Sequence, residues 1–179
     1  MSRTWSFLQM GGLAQFQGNL GYTDRTDRFY DWDSTVANHT RVHRGDLAVI
    51  RDAAHVLGLG RIERLEVEHE RPKTRRRCPR CATTGFKRRG SLRPTFRCGR
   101  CGHEFEHPVE EAITVTGYVA HYSSSWRPMS VEIPVSSIDA AYRARANQHS
   151  IRELEPEVLR RVLARRGVDP PESWWHGER

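Results

Sequence analysis

The chain has 179 residues, 37% hydrophobic and 28% charged, with a net charge of +7 from 29 basic and 22 acidic residues. At ~150 residues per domain this is about one domain and a remainder, and the composition excludes a membrane-embedded, collagen-like or fully disordered chain. No run of ~18 apolar residues is present to span a bilayer, and residues 1–10 lack the apolar core of a signal peptide; together these predict a cytoplasmic protein.

Taken in chain order, residues 3–8 alternate as a strand. Gly11 and Gly12, and then 15–26 with Gly18 and Gly21, predict a loop. Residues 29–42 mix aromatics with small polar residues. Gly45-Asp46 is a turn before an apolar strand at 47–50. A glycine-bearing strand follows at 56–62 and is expected to continue to about residue 68. Beyond the cysteine-bearing segment, 112–122 is strongly β, 123–128 is loop and 131–135 is a strand. Ser136 is expected to cap a short helix at 137–143, and 150–154 to be extended. The clearest helix is 155–166: Pro156 stands in its first turn, Val158, Leu159, Val162 and Leu163 form one apolar stripe, and Gly167 ends it. Residues 168–179 are expected to be a tail or linker.

All four cysteines fall in one segment, as Cys78-Pro-Arg-Cys81 and Cys98-Gly-Arg-Cys101. Two CxxC pairs separated by a hairpin-length spacer predict a tetrahedral structural zinc site. Four thiolates close the coordination shell, so His103 and His107 are expected to be surface residues or neighbours of the site. The same segment carries the charge. From 71 to 101 there are twelve basic residues and no acidic one, which leaves the rest of the chain at −5. A concentrated positive field attracts polyanions, whereas a merely solubilising surface does not require the carboxylates to be missing. Lys87, Arg88, Arg89, Arg93 and Arg97 are the expected backbone contacts to DNA, followed by Arg75, Arg76 and Arg77.

The segment resembles a zinc ribbon. The remainder, through Tyr30-Asp-Trp-Asp-Ser-Thr-Val-Ala-Asn-His39, Gly45-Asp46-Leu-Ala-Val-Ile-Arg51, Val56-Leu-Gly-Leu-Gly-Arg-Ile-Glu63 and Asn147-Gln-His-Ser-Ile-Arg-Glu-Leu154, resembles the EVE/PUA-like modified-base readers related to SRA and YTH domains, as found in front of modification-dependent HNH endonucleases. The resemblance implies an α+β fold, a PUA/EVE-like small β-barrel with flanking helices, formed by 1–70 and 109–167 with the ribbon inserted at 71–108. It also implies a reader of modified cytosine, 5-methyl or 5-hydroxymethyl, in duplex DNA, working with a nuclease domain or subunit that this sequence does not contain.

Reading a flipped base requires an aromatic wall and polar groups for the base edge. Trp32 is the first expected stacking face, with Tyr30, Tyr22, Trp5 and Trp126 as further walls. Asp33 is expected to accept from the cytosine amine, with Ser34, Thr35 and Asn38 completing the edge. The sequence holds no P-loop, nucleophile elbow or zinc-deaminase arrangement, and no catalysis by this chain is expected. An RNA-binding PUA-like protein and a ribbon that docks a protein partner are the alternatives.

Overall fold

The computed structural model describes residues 2–10, 22, 24–144 and 149–175. Among them a five-stranded sheet is built from β1 (Thr4–Leu8), β3 (Leu47–Arg51), β4 (His55–Arg61), β10 (Arg127–Pro134) and β11 (Ile151–Leu154), in the order β10-β4-β3-β1-β11. Its neighbours are antiparallel except β1 with β3. β3 is buried from end to end, as its unbroken apolar run requires of a strand covered on both faces. Leu47 and Val49 face one core with Ile138, Leu159 and Leu163; Ala48 and Ile50 face another with Trp5, Phe7, Trp32 and Tyr122.

The first core is covered by a 3₁₀ helix (Val135–Ala141) and by α1 (Pro156–Ala164), which buries Leu159 and Leu163. The second core is covered by a three-stranded sheet in the order β2-β9-β5, from β2 (Phe29–Asp33), β5 (Arg64–Arg77) and β9 (Val109–His121). β2 pairs only with residues 117–121 of β9, whereas β5 pairs with β9 as far as Arg77 opposite Val109. Residues 71–77 and 109–115 therefore form a two-stranded arm about 20 Å long at ~3.3 Å per residue. The arm ends in a third small sheet, β6 (Phe86–Arg88), β7 (Phe96–Cys98) and β8 (Glu104–Phe105).

This is a mostly β, α+β chain, but its described strands form open sheets and close no barrel. The strand expected to run on to residue 68 breaks at Ile62-Glu63. Ile62 N–H donates to Asp46 O, Ile62 O accepts from Gly45, and Glu63 N–H donates to His121 O, so the backbone turns there from one sheet to the other. The helix expected after Ser136 is 3₁₀ and begins at Val135 without a side-chain cap. The inserted unit is shorter than expected: 71–77 belong to β5, and the ribbon proper is 78–108. Residues 168–175 are not a linker. Val168, Trp174 and Trp175 pack on the first core, and Glu172–Trp174 forms a 3₁₀ turn. The loop expected at 15–26 lies largely outside the described residues, as do Asn147 and Gln148.

Candidate metal centre and nucleic-acid interface

The two knuckles of the ribbon repeat one geometry. Ala82 N–H donates to Cys78 O at 2.9 Å and Gly102 N–H to Cys98 O at 3.1 Å. Both donors are left-handed, with φ of 56° at Ala82 and 70° at Gly102. Each turn presents two sulfurs inward. Cys78 Sγ lies 3.8 Å from Cys101 Sγ and Cys81 Sγ lies 3.6 Å from Cys98 Sγ. All four fall within 4.8 Å of one another, a group able to hold a metal ion. Burial pushes the Cys98 thiol up, but backbone N–H groups of Cys101 and Arg100, with the Cys101 and Cys81 thiols, outweigh it and bring it down to about 6. Cys81, lowered by Thr83 N–H but raised more by burial and by its cysteine neighbours, is pushed up to about 11, so Cys98 is the readier of the two to ligate as thiolate. Phe86, Phe96 and Phe105 pack ring to ring beneath the cysteines, with centroids 5.2–5.8 Å apart. His103 stacks on Phe105 and His107 is exposed.

The positive segment is largely neutralised by the fold. Arg75 and Arg77 share Glu111 at 2.8 and 2.7 Å, and Arg76 meets Glu110 at 2.9 Å. Arg71 reaches Asp31 and Glu68, and Lys73 reaches Asp33 at 2.5 Å. Within the ribbon, Arg89 pairs with Glu104 at 2.5 Å and Arg93 with Glu106. Of the eight expected backbone contacts, Lys87, Arg88 and Arg97 are the ones that carry no ion pair among the described residues, and all three are exposed. Arg80 and Arg100, one in each knuckle, are likewise exposed and unpaired. Lys87 stands directly opposite Arg97 across β6 and β7, a like-charge pair that weakens an isolated sheet.

The expected base pocket does not assemble around Trp32. Its ring is 0% exposed, stacked on Tyr118 at 5.5 Å and held by Nε1–H donating to His39 O. Trp5 is equally buried and donates to Asp46 Oδ2; Tyr30 is buried and donates to Leu8 O. Trp126 covers Gly58, where an added Cβ would fall 2.2 Å from its ring. Trp5, Tyr30 and Trp32 are core and Trp126 packs half-buried against it, so the expectation that the three core rings wall a socket for a flipped base is corrected.

Asp33 is also occupied. Oδ1 accepts from Thr35 N–H and Oγ1–H at 2.8 and 2.5 Å, and Oδ2 accepts from Tyr22 Oη at 3.0 Å and Lys73 Nζ at 2.5 Å. Four donors fill the acceptor capacity of a carboxylate, leaving none for a cytosine amine. Burial raises the Asp33 acid, but Lys73 and Thr35 outweigh it and hold it below the usual value. Ser34 ties β2 to β9 through Thr116, and Asn38, in a left-handed turn, donates to Ile151 O. The structure brings Tyr22, Asp33 and Thr35 together around Lys73, which the sequence reading assigned to no site.

The fold and the four cysteines define the class: a two-sheet protein carrying a potential metal-binding ribbon on a β arm. Comparison with family models, with curated proteins and with solved structures finds no match.

Proposed function

We propose that the protein binds nucleic acid through the phosphate backbone, with a zinc-pinned ribbon as the contacting element. Four thiolates around zinc, at Zn–S of about 2.3 Å, sit about 3.8 Å apart in a tetrahedron, and the cross-knuckle separations of 3.8 and 3.6 Å fit that shell. Cys78, Cys81, Cys98 and Cys101 would hold the ion. The closed shell makes it structural, and the proposal assigns no catalytic step to this chain.

The observation that carries the reading is the set of exposed, unpaired cations on the ribbon. Lys87, Arg88 and Arg97 stand at the end of an arm whose own arginines are paired with carboxylates. The seven basic residues of 78–108 outnumber Glu104 and Glu106, enough to outweigh the net negative charge of a zinc–tetrathiolate centre. A phosphate between Lys87 and Arg97 would relieve their mutual repulsion. Backbone contacts give affinity without sequence information, so this reading includes no socket for modified cytosine.

The test is fluorescence anisotropy of the zinc-loaded protein with labelled duplex DNA, unmodified or carrying 5-methylcytosine, and with a structured RNA. The expected result is equal affinity for the two duplexes, reduced at least tenfold by Lys87→Glu together with Arg88→Glu. Binding untouched by that double reversal would remove the ribbon from the interface. Absence of binding to DNA and RNA alike would favour a protein-docking ribbon instead.

A further inference from the structure

An open cleft of about 710 Å³ lies on the body, where the start of β1, the turn at 43–46, the end of β4 and the loop at 124–125 converge. Its volume is that of a small-molecule site. Arg3, Arg44 and Arg61 enter it from three separate parts of the chain, together with the carboxylates of Asp46 and Glu63.

The carboxylates serve the protein's own backbone and rings. Asp46 accepts from Arg3 N–H and Trp5 Nε1–H at 2.8 Å each and from His43 N–H at 2.9 Å. Glu63 accepts from Ser124 N–H at 2.7 Å. Neither forms an ion pair with the three arginines among the described residues. Arg44 is exposed and has no polar partner there. Arg3 meets Glu153 only at 3.9 Å. Arg61 donates Nη1–H to Ser173 O at 2.6 Å, with Nη2 3.9 Å from where a Cβ on Gly45 would lie. That hydrogen bond fixes one edge of the guanidinium against the 3₁₀ turn at 172–174 and leaves the rest of its donor fork without a partner among the described residues.

We infer that this cleft binds a phosphate group, held by Arg3, Arg44 and Arg61. Guanidinium forks match phosphate oxygens in pairs, and three of them around one concavity outnumber its two carboxylates, of which Asp46 already accepts three N–H groups and Glu63 one, which makes a site for an anion rather than for a cation. The inference does not rest on the ribbon. The phosphate can belong to a free nucleotide or to a polynucleotide strand.

The experiment is a titration of the ¹⁵N-labelled zinc-loaded protein with inorganic phosphate, a nucleoside monophosphate and a dinucleotide phosphodiester, followed by amide shifts. Saturable shifts are expected at Gly45, Ser124 and Ser125, and Arg44→Glu should weaken binding at least tenfold while Arg88→Glu leaves it unchanged. A preference for the dinucleotide assigns the phosphate to a polynucleotide; a preference for the monoester assigns it to a free nucleotide. Absence of shifts at these three amides with every probe, or shifts that Arg44→Glu does not alter, would overturn the site. Loss of duplex binding in the ribbon variants with the phosphate shifts intact would leave the cleft standing, and the reverse pattern would leave only the ribbon.

Discussion

The guanidinium of Arg71 lies across Gly117, where a Cβ on the glycine would fall 2.1 Å from Cζ. Gly117 is opposite Glu68, and the bulge between Glu68 and Arg71, with Glu70 at φ 59°, aims the arginine over it. From there Arg71 reaches Asp31 at 2.7 Å and Glu68 at 2.7 Å. One side chain from β5 thus crosses β9 to grip β2 at the root of the arm.

Gly117→Ala should displace that guanidinium and destabilise the protein by about 2 kcal/mol, in the range of overpacking a filled site. In an Arg71→Ala background the same substitution should be close to neutral, because the clash is gone. Thermal unfolding of the four-variant cycle measures the coupling; strict additivity would contradict the arrangement.

Asp33 makes a second link between β2 and the arm, two residues along from Asp31. Its acid is held below its unfolded value of about 3.9. Such a group contributes stability above the unfolded value, and that contribution fades as pH falls through and below it. Asp33→Asn keeps the shape but loses the charge that faces Lys73, and it should cost about 3 kcal/mol at neutral pH, as expected when one partner of a buried pair is removed. Urea unfolding at pH 7 and pH 3 should show the gap between wild type and variant narrowing at the lower pH. An unchanged gap would assign the carboxylate no ionic role.

The cysteine knuckles were legible because CxxC spacing is local chemistry. The neutralisation of the arginines was not. It depends on hairpin register, which folds Glu110 and Glu111 back beside Arg75, Arg76 and Arg77, on the two strands of the arm that flank the ribbon. Trp32, set between two aspartates, suggested exposure. Strand alternation turns Tyr30 and Trp32 inward together, and Asp31 and Asp33 are then met by Arg71 and Lys73 from a strand more than thirty residues away. The Trp174-Trp175 pair was obscured by the preceding Pro-Pro. Two adjacent tryptophans were the signal that this stretch returns to the core.

The paired left-handed positions of the knuckles make a prediction about metal and stability. Glycine fills that position in the second knuckle and alanine in the first, where a left-handed non-glycine residue costs about 1–2 kcal/mol. Part of any gain from Ala82→Gly is offset by the greater freedom of glycine in the unfolded chain, so the substitution should stabilise the loaded ribbon by about 0.5 kcal/mol. Competition with a chromophoric chelator should accordingly show slightly tighter zinc retention. Removing the metal should unfold 78–108 by a far larger margin, because three phenylalanines and the cysteines are its whole interior. Ribbon amides that keep their dispersion after chelation would show that it folds without metal.

Ion pairing inside the ribbon also fixes how binding responds to salt. If Lys87, Arg88 and Arg97 are the phosphate contacts, log K on duplex DNA should fall with log[salt] with a slope of about −2.7, from ~0.9 counterions per contact. With Arg89 and Arg93 added, five contacts would give about −4.5. Those two are held by Glu104 and Glu106, so the shallower value is expected. Glu104→Gln frees Arg89 and should steepen the slope by about 0.9 while leaving the cysteine centre intact. A wild-type slope near the five-contact value would mean that phosphate displaces both glutamates on binding; a flat dependence would take the ribbon out of the interface altogether.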